Sequence, residues 1–348
     1  MSDSVKQLVS LEEIMAAQQR IAGVAVRTPL YRLERARLRM ARHAEPAFDL
    51  YLKAESEQPI GSFKLRGAYN MVAQLPPEVL RRGVITYSSG NHAQGVAYAA
   101  RALGTKAVIV MPDNAPEIKK IATAALGAEI VLVGPASSAR KLKAEELAAE
   151  FGYAMIPPYD HPHIIAGQAT CGLEIVEQLP DVDVVISPVS GGGLLSGVAT
   201  AVKLAAQSGL AKRSVQVWGA EPELAGDARE SFTTRQLVEW PAEKTTRTIC
   251  DGLRTQSLGV LNFAHVLANV DGIVTVSEDE ILAAMRLMLQ ATRLVPEPSG
   301  AATLAAALYH AEELGLDRVR KVAVVLSGGN IEPTLLERLK GEIAAHAG

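Results

Sequence analysis

Short runs of apolar, β-branched residues recur along this chain at 84–87, 107–111, 129–133, 182–187, 215–219 and 322–326. Ala- and Leu-rich stretches of helical spacing separate most of them, at 93–103, 119–126, 139–151, 164–178 and 194–206. Strands buried on both faces read as continuous apolar runs, so their alternation with helices predicts an α/β fold on mainly parallel twisted sheets. Upstream, Ser10 and Glu13 make the capping box of a helix running to about Ala22. Residues 27–30 are extended, and a strand over 48–53 leads through a polar loop into a helical run over 65–75. The strands fall into two groups. Those starting at Val84, Ala107 and Glu129 form one, and those starting at Val182, Val215 and Val322 form the other, with the N-terminal strand joining it. Two lobes follow, joined by a proline-flanked crossover at 159–163. The stretch 225–249 is polar, irregular and too long for an ordinary loop, which marks it as a candidate functional segment.

Composition narrows the classes. With 348 residues, the chain is long enough for about two domains. At 48% hydrophobic and 21% charged residues it has ample material for a core. A net charge of -3 gives no global field toward nucleic acid or an anionic membrane, and 4% aromatics argues against stacking platforms for bases. Cys171 and Cys250 have neither metal-type spacing nor a disulfide framework. The first dozen residues carry acids and no apolar core, and no apolar run approaches the length that spans a bilayer. The expectation is a cytoplasmic protein.

The chemistry lies in the loops. Lys64 follows Gly61, Ser62 and Phe63 just where the polar loop gives way to a helix. The macrodipole disfavours a cation at a helix start, and a depressed pKa makes an amine available as a nucleophile. Four polar, glycine-bearing loops stand at strand carboxyl ends, where open α/β sheets bind ligands. They are Ser88-Ser89-Gly90-Asn91-His92, Ser190-Gly191-Gly192-Gly193-Leu194, the segment with Glu221 and Asp227, and Ser327-Gly328-Gly329-Asn330. The triple glycine opening a helix suits a phosphate, because backbone N–H groups approach an anion closely where no Cβ intervenes. Gly191, Gly193 and Ser196 also match a dinucleotide fingerprint, but a serine replaces the third glycine and Glu221 comes too late for the ribose acid. No G-x-x-x-x-G-K-[ST] run occurs.

Ser62-Phe63-Lys64 with Arg66-Gly67, Ser88 through His92, the glycine loop and Ser327 through Asn330 together resemble the fold type II pyridoxal-phosphate enzymes, over about residues 28–330. The chain is most similar to their serine racemase and serine/threonine dehydratase branch, in which a histidine follows the asparagine. The resemblance implies a two-lobed α/β fold with a large cofactor-binding domain (1–76 and 163–348) and a small, mobile, substrate-closing domain (77–162). It implies that Lys64 bonds covalently to pyridoxal 5'-phosphate and later moves the Cα proton. Phe63, Asn91, Glu297 and Ser327 would also bind the cofactor, Asn91 at its phenolic oxygen and Ser327 at its pyridine nitrogen. Ser190, Gly191, Gly192, Gly193 and Leu194 would hold its phosphate. Ser88, Ser89 and Asn91 would hold the substrate carboxylate, with Ser89 serving the face opposite the lysine and Arg140 and Thr255 as further substrate contacts. His92 supports its loop. Glu221, Asp227 and the carbonyl of Ala225 match a divalent-cation site, for Mg²⁺, Ca²⁺ or Mn²⁺.

The implied activity is an ammonia-lyase (dehydratase) for L-threonine, L-serine or a related β-hydroxy amino acid, in a homodimer. Serine racemisation, or dehydration of 3-hydroxyaspartate or phenylserine, is the alternative. A hydroxyl facing the pyridine nitrogen, rather than a carboxylate, weakens the electron sink and favours prompt β-elimination. Two departures from the branch bear on substrate: Pro59-Ile60 where relatives are more polar, and Ser190 in place of a first glycine. No regulatory domain is expected after Gly348. A nicotinamide oxidoreductase and a non-catalytic amino-acid-binding module are the rival classes; the missing ribose acid counts against the first and the intact Lys64 against the second.

Overall fold

In the computed structural model, Ser10 Oγ accepts a hydrogen bond from Glu13 N at 3.2 Å, and the Glu13 carboxylate accepts one from Ser10 N at 2.8 Å. That reciprocal cap starts helix α1 (Leu11–Ile21) as the sequence predicts. The structure describes residues 8–35, 37–38, 46–88, 90–115, 117–134 and 137–347.

The larger sheet has six strands in the order β1 (Leu30–Leu33), β2 (Asp49–Ala54), β10 (Lys321–Leu326), β7 (Val184–Pro188), β8 (Gln216–Pro222) and β9 (Gly272–Val276). Every neighbouring pair is parallel except β1 with β2. Its side chains alternate between two cores. Leu50, Leu52, Val184, Ile186, Val322 and Val324 point into one, while Val185, Val217, Ala323 and Val325 point into the other. Both faces are covered, which is why these strands read as unbroken apolar runs. The smaller sheet is all parallel, in the order β5 (Glu129–Val133), β4 (Ala107–Pro112), β3 (Val84–Tyr87) and β6 (Ala154–Met155). Three helices accompany it: α3 (Asn91–Ala102), α4 (Glu117–Ala125) and α5 (Ser137–Phe151).

Between the sheets stand α2 (Lys64–Val72), α6 (Pro162–Gln178) and α7 (Gly193–Gln207). Helix α2 begins on Lys64 itself and stops at Val72, short of the expected Leu75. It lies so close to α6 that a Cβ on Gly167 would come within 2.6 Å of the Cα of Gly67. The remaining main helices are α8 (Asp227–Thr234), α9 (Val260–Asn269), α10 (Glu278–Ala291), α11 (Pro298–Tyr309) and α12 (Pro333–Ala347).

Three readings of the sequence need correction. Strand β8 runs on to Pro222, so Glu221 belongs to the strand rather than to a loop after it. The stretch read as irregular from 225 holds α8 and a helical turn at Ala242–Thr245. Strand β9 was not foreseen, because Gly272 leaves only four apolar or β-branched residues to announce it. Among the described residues no helix is long and apolar enough to cross a membrane.

A buried ionic cluster clamps α2 to β2 and α6. Arg66 is fully buried and makes two bonds to each of two glutamates. Its Nε and Nη2 donate to Glu55 at 2.7 and 2.8 Å, and its Nη1 and Nη2 donate to Glu174 at 2.7 and 2.8 Å. Lys53, also fully buried, donates to Glu174 at 2.6 Å and to the carbonyl of Thr28 at 2.7 Å. Two cations face two anions, and Thr28 Oγ1, Gln58 and Gln178 fill further valences. Replacing Arg66 by Met leaves two buried glutamates with one cation. Denaturant unfolding is expected to show a loss of about 3–5 kcal/mol, the usual cost of breaking a buried pair from one side.

Candidate active site

Lys64 Nζ donates to the carbonyl of Pro158 at 2.8 Å and sits 5.3 Å from the centre of the Phe63 ring. Burial lowers its pKa to about 8, with only Glu297 pulling the other way. No side chain caps the helix that Lys64 opens, so the positive end of the dipole adds to the pressure toward the neutral amine. Phe63 is fixed from behind: its N–H donates to the carbonyl of Ser327 at 3.0 Å, and Ser62 bridges Gly328. Thus the lysine loop and one of the four predicted loops, Ser327 to Asn330, meet at the lysine.

A third joins through Asn91. Its amide donates to both oxygens of Glu297, at 2.9 and 3.1 Å, and its Oδ1 accepts from Asn330 at 2.7 Å. Asn330 also donates to the carbonyl of Ile60 at 2.9 Å. Glu297 is buried; burial and then Asp251 push its pKa up to about 7 against the Asn91 bonds. His92 is buried with Nε2 3.0 Å from the carbonyl of Ile156. Burial and then the neighbouring Lys64 hold its pKa down to about 3, so it is a neutral support for the loop.

The glycine loop is the fourth wall. Gly192 has φ +93°, a left-handed conformation that favours glycine, and precedes α7, whose first residues are Gly193 and Leu194. The ring of Tyr159 covers the loop so closely that a Cβ on Gly191 would come within 2.5 Å of it. Ser190 Oγ and Thr255 Oγ1 lie 2.8 Å apart, which joins a predicted cradle residue to a predicted substrate contact. The loop's three glycines therefore offer backbone at a helix start with no side chains of their own, a fit for a phosphate.

The other predicted residues divide. Ser88 directly follows β3, half-buried, and its Oγ accepts from Gly90 N at 3.3 Å. Ser89 lies outside the described residues. Arg140 sits on α5, half-buried and electrostatically coupled to Tyr87 at the carboxyl end of β3; burial draws its pKa below the usual guanidinium range. Glu221, Ala225 and Asp227 are all buried and gather at the end of β8, with Glu221 accepting from Arg229 N at 2.7 Å. No site role is assigned from the sequence to Pro158, Tyr159 or Asn262. The crossover position of the first two was the available signal. Asn262, which donates to the carbonyl of Gly191 at 2.8 Å, had none.

Comparison with known proteins bears on this arrangement. The profile of a family described as "Pyridoxal-phosphate dependent enzyme" matches residues 9–328. The chain belongs to that family. Among its relatives, L-threo-3-hydroxyaspartate ammonia-lyase of Saccharomyces cerevisiae is 42% identical over 81% of this chain and 83% of its own. L-threonine ammonia-lyase of Thermotoga maritima is 39% identical, covering 95% of this chain and 78% of its own. The solved structure of maize serine racemase superposes with a TM-score of 0.87 at 34% identity, over 98% of this chain and 100% of that one. The fold is that of the fold type II branch, and the cofactor of this pyridoxal-phosphate enzyme is pyridoxal 5'-phosphate.

The lowered pKa gives a direct test. An amine reacts with an aldehyde in its neutral form, and an ordinary lysine, with a pKa of about 10.4, is almost wholly protonated near neutrality. With a pKa of about 8, the rate at which apoenzyme takes up the cofactor is expected to rise with pH and level off just above 8. Borohydride reduction at each pH, followed by peptide mapping, should place the label on Lys64; a midpoint near 10, or label elsewhere, contradicts the assignment.

Proposed function

We propose that this pyridoxal-phosphate enzyme is an ammonia-lyase that converts a β-hydroxy α-amino acid, of the L-threonine and L-serine class, to the 2-oxo acid and ammonia. The observation that carries the reading is Lys64: a half-buried, desolvated amine, held by one neutral carbonyl, with a pKa of about 8. Such a group can bond to the cofactor aldehyde, be displaced by the substrate amine, and then take the Cα proton. When bound, the cofactor supplies an electron sink that acidifies that proton. Gly191, Gly192, Gly193, Ser190 and Leu194 would hold its phosphate, Asn91 its phenolic oxygen and Ser327 its ring nitrogen, with Phe63 and Glu297 alongside. Ser88, Ser89 and Asn91 would orient the substrate carboxylate, with Thr255 as a further substrate contact. Loss of the β-hydroxyl as water and later hydrolysis to release ammonia leave the 2-oxo acid. Racemisation needs a second proton donor on the face opposite Lys64, a role for Ser89, and is the minor path in this reading.

Arg140 favours a second substrate within the class. A half-buried guanidinium at the carboxyl end of β3 suits a substrate with a second carboxylate, and the 42% identical relative is named for L-threo-3-hydroxyaspartate. The same reading has residues 77–162 close over the substrate. Lys119 of α4 supports it, ion-paired to Asp251 and 3.7 Å from Glu332 across the cleft. A cytoplasmic homodimer completes it.

The reading includes a divalent cation, Mg²⁺, Ca²⁺ or Mn²⁺, held by Glu221, Asp227 and the carbonyl of Ala225. Burial raises the pKa of both carboxyls, Asp227 to about 7, and Asp227 Oδ2 is buried without a hydrogen-bond partner among the described residues. Among the described residues no cluster of three or more His, Cys, Asp or Glu could hold a metal, so the remaining ligands would be the Ala225 carbonyl and water.

Three measurements test these points. A panel of L-threonine, L-serine and 3-hydroxyaspartate, assayed for 2-oxo acid and D-amino acid, should show elimination exceeding racemisation. Arg140→Ala should lower kcat/KM for 3-hydroxyaspartate about tenfold or more while sparing threonine, since a lost charged contact costs about 1.5–3 kcal/mol. Chelation should lower the melting temperature and Mg²⁺ restore it, because a ligand bound only by the folded state stabilises by mass action; identical melting curves contradict the cation site.

A further inference from the structure

Helix α9 has no cap of its own. Its N-cap is Gly259, which carries no side chain, so its first N–H groups need acceptors from elsewhere. Asp160, about 100 residues earlier in the crossover between the sheets, supplies them. Its Oδ2 accepts from Val260 N at 3.0 Å, and its Oδ1 accepts from Leu261 N at 2.9 Å and Asn262 N at 3.2 Å. The carboxylate lies so close that a Cβ on Gly259 would come within 2.4 Å of its Cγ. A negative charge at this end of the helix is also favoured by the dipole.

What the capped turn does next is specific. Gly259 N and Asn262 Nδ2 both donate to the carbonyl of Gly191, at 3.0 and 2.8 Å. Two donors on one carbonyl fix the plane of the Gly191–Gly192 peptide. The described peptides are all trans, so the N–H of Gly192 points to the side opposite that carbonyl, away from α9. The residues just before Asp160 reach the rest of the site: Tyr159 packs on Gly191 and Gly193, and the carbonyl of Pro158 accepts from Lys64. One short segment thus touches the lysine, the glycine loop and the helix that aims the loop.

We propose that Asp160 is a positioning residue for the cofactor phosphate, acting through the first turn of α9 and Asn262 to aim the Gly192 N–H. This rests on the reading of Ser190 to Leu194 as the phosphate cradle. The test compares pyridoxal 5'-phosphate with phosphate-free pyridoxal, by equilibrium dialysis against apoenzyme resolved from the purified holoenzyme. Asp160→Ala is expected to weaken binding of the phosphorylated form about tenfold, in line with a lost cap and the hydrogen bond it aims, and to leave pyridoxal unchanged. Asp160→Asn, which keeps an acceptor oxygen, should recover most of the loss. Asn262→Ala should reproduce it, and the double variant should lose little more than the larger single loss, since the two act in series. Equal weakening of both ligands, no weakening, or fully additive losses overturn the proposal. Where Asp160→Ala does not yield folded protein, Asn262→Ala decides by the same comparison. Gly192→Ala separates the two layers: if it spares the preference for the phosphorylated form, the cradle reading fails. If it abolishes that preference while Asp160→Ala and Asn262→Ala do not, only the role of Asp160 fails.

Discussion

The site depends on one arrangement of buried charge. Arg66 stands two residues beyond Lys64 on α2 and is locked to Glu55 after β2 and to Glu174 on α6, with Lys53 closing the cluster. Burying four charges is costly, and such clusters persist only where attraction and hydrogen bonding offset desolvation. Here the signs balance, and every member has multiple partners. Burial works against the ionised form of Glu55, yet Arg66 and then Lys53 hold its pKa below the carboxylate range. What the cluster secures is placement. The first turn of α2 cannot rotate without breaking bonds to two other elements, so the side chain of Lys64 leaves the helix in one direction. Gly67, one residue further, lets that turn press against α6.

Most of the framework was legible in the sequence because the relevant forces are local. Strands covered on both faces produce unbroken apolar runs, and those at 84–87, 107–111 and 129–133 fall together in one sheet. The capping box of α1 is a four-residue pattern and needed nothing else. The loops bearing Lys64, Asn91, Ser190 to Gly193 and Ser327 were legible for the same reason, since each is a short polar break at a strand end. Contacts between distant segments were not. That Asn91 would bind Glu297, or that Asp160 would cap a helix starting at Val260, follows from how the sheets pack, and no spacing encodes it. Glu221 was misplaced by its strand because Ala220 and Pro222 flank it as a turn would, while the ladder to β9 continues through both Glu221 and Pro222.

The two cations at the start of α2 show how neighbouring residues acquire opposite chemistry. Arg66 is fully buried and Lys64 partly so, and desolvation alone would drive each toward its neutral form. For Arg66, four hydrogen bonds to two carboxylates reverse the effect, and its pKa rises well above an already high value. Lys64 has a carbonyl for a partner, which can accept a proton bond but returns no charge, and Glu297 faces it while itself half-inclined to hold a proton, with a pKa of about 7. The balance tips the other way, to a pKa of about 8. Lys64 could therefore not be exchanged for arginine, whose guanidinium stays charged, and would not serve if a full carboxylate replaced the Pro158 carbonyl as its partner. Burial supplies the pressure to lose a proton; the choice of partner decides which cation yields to it.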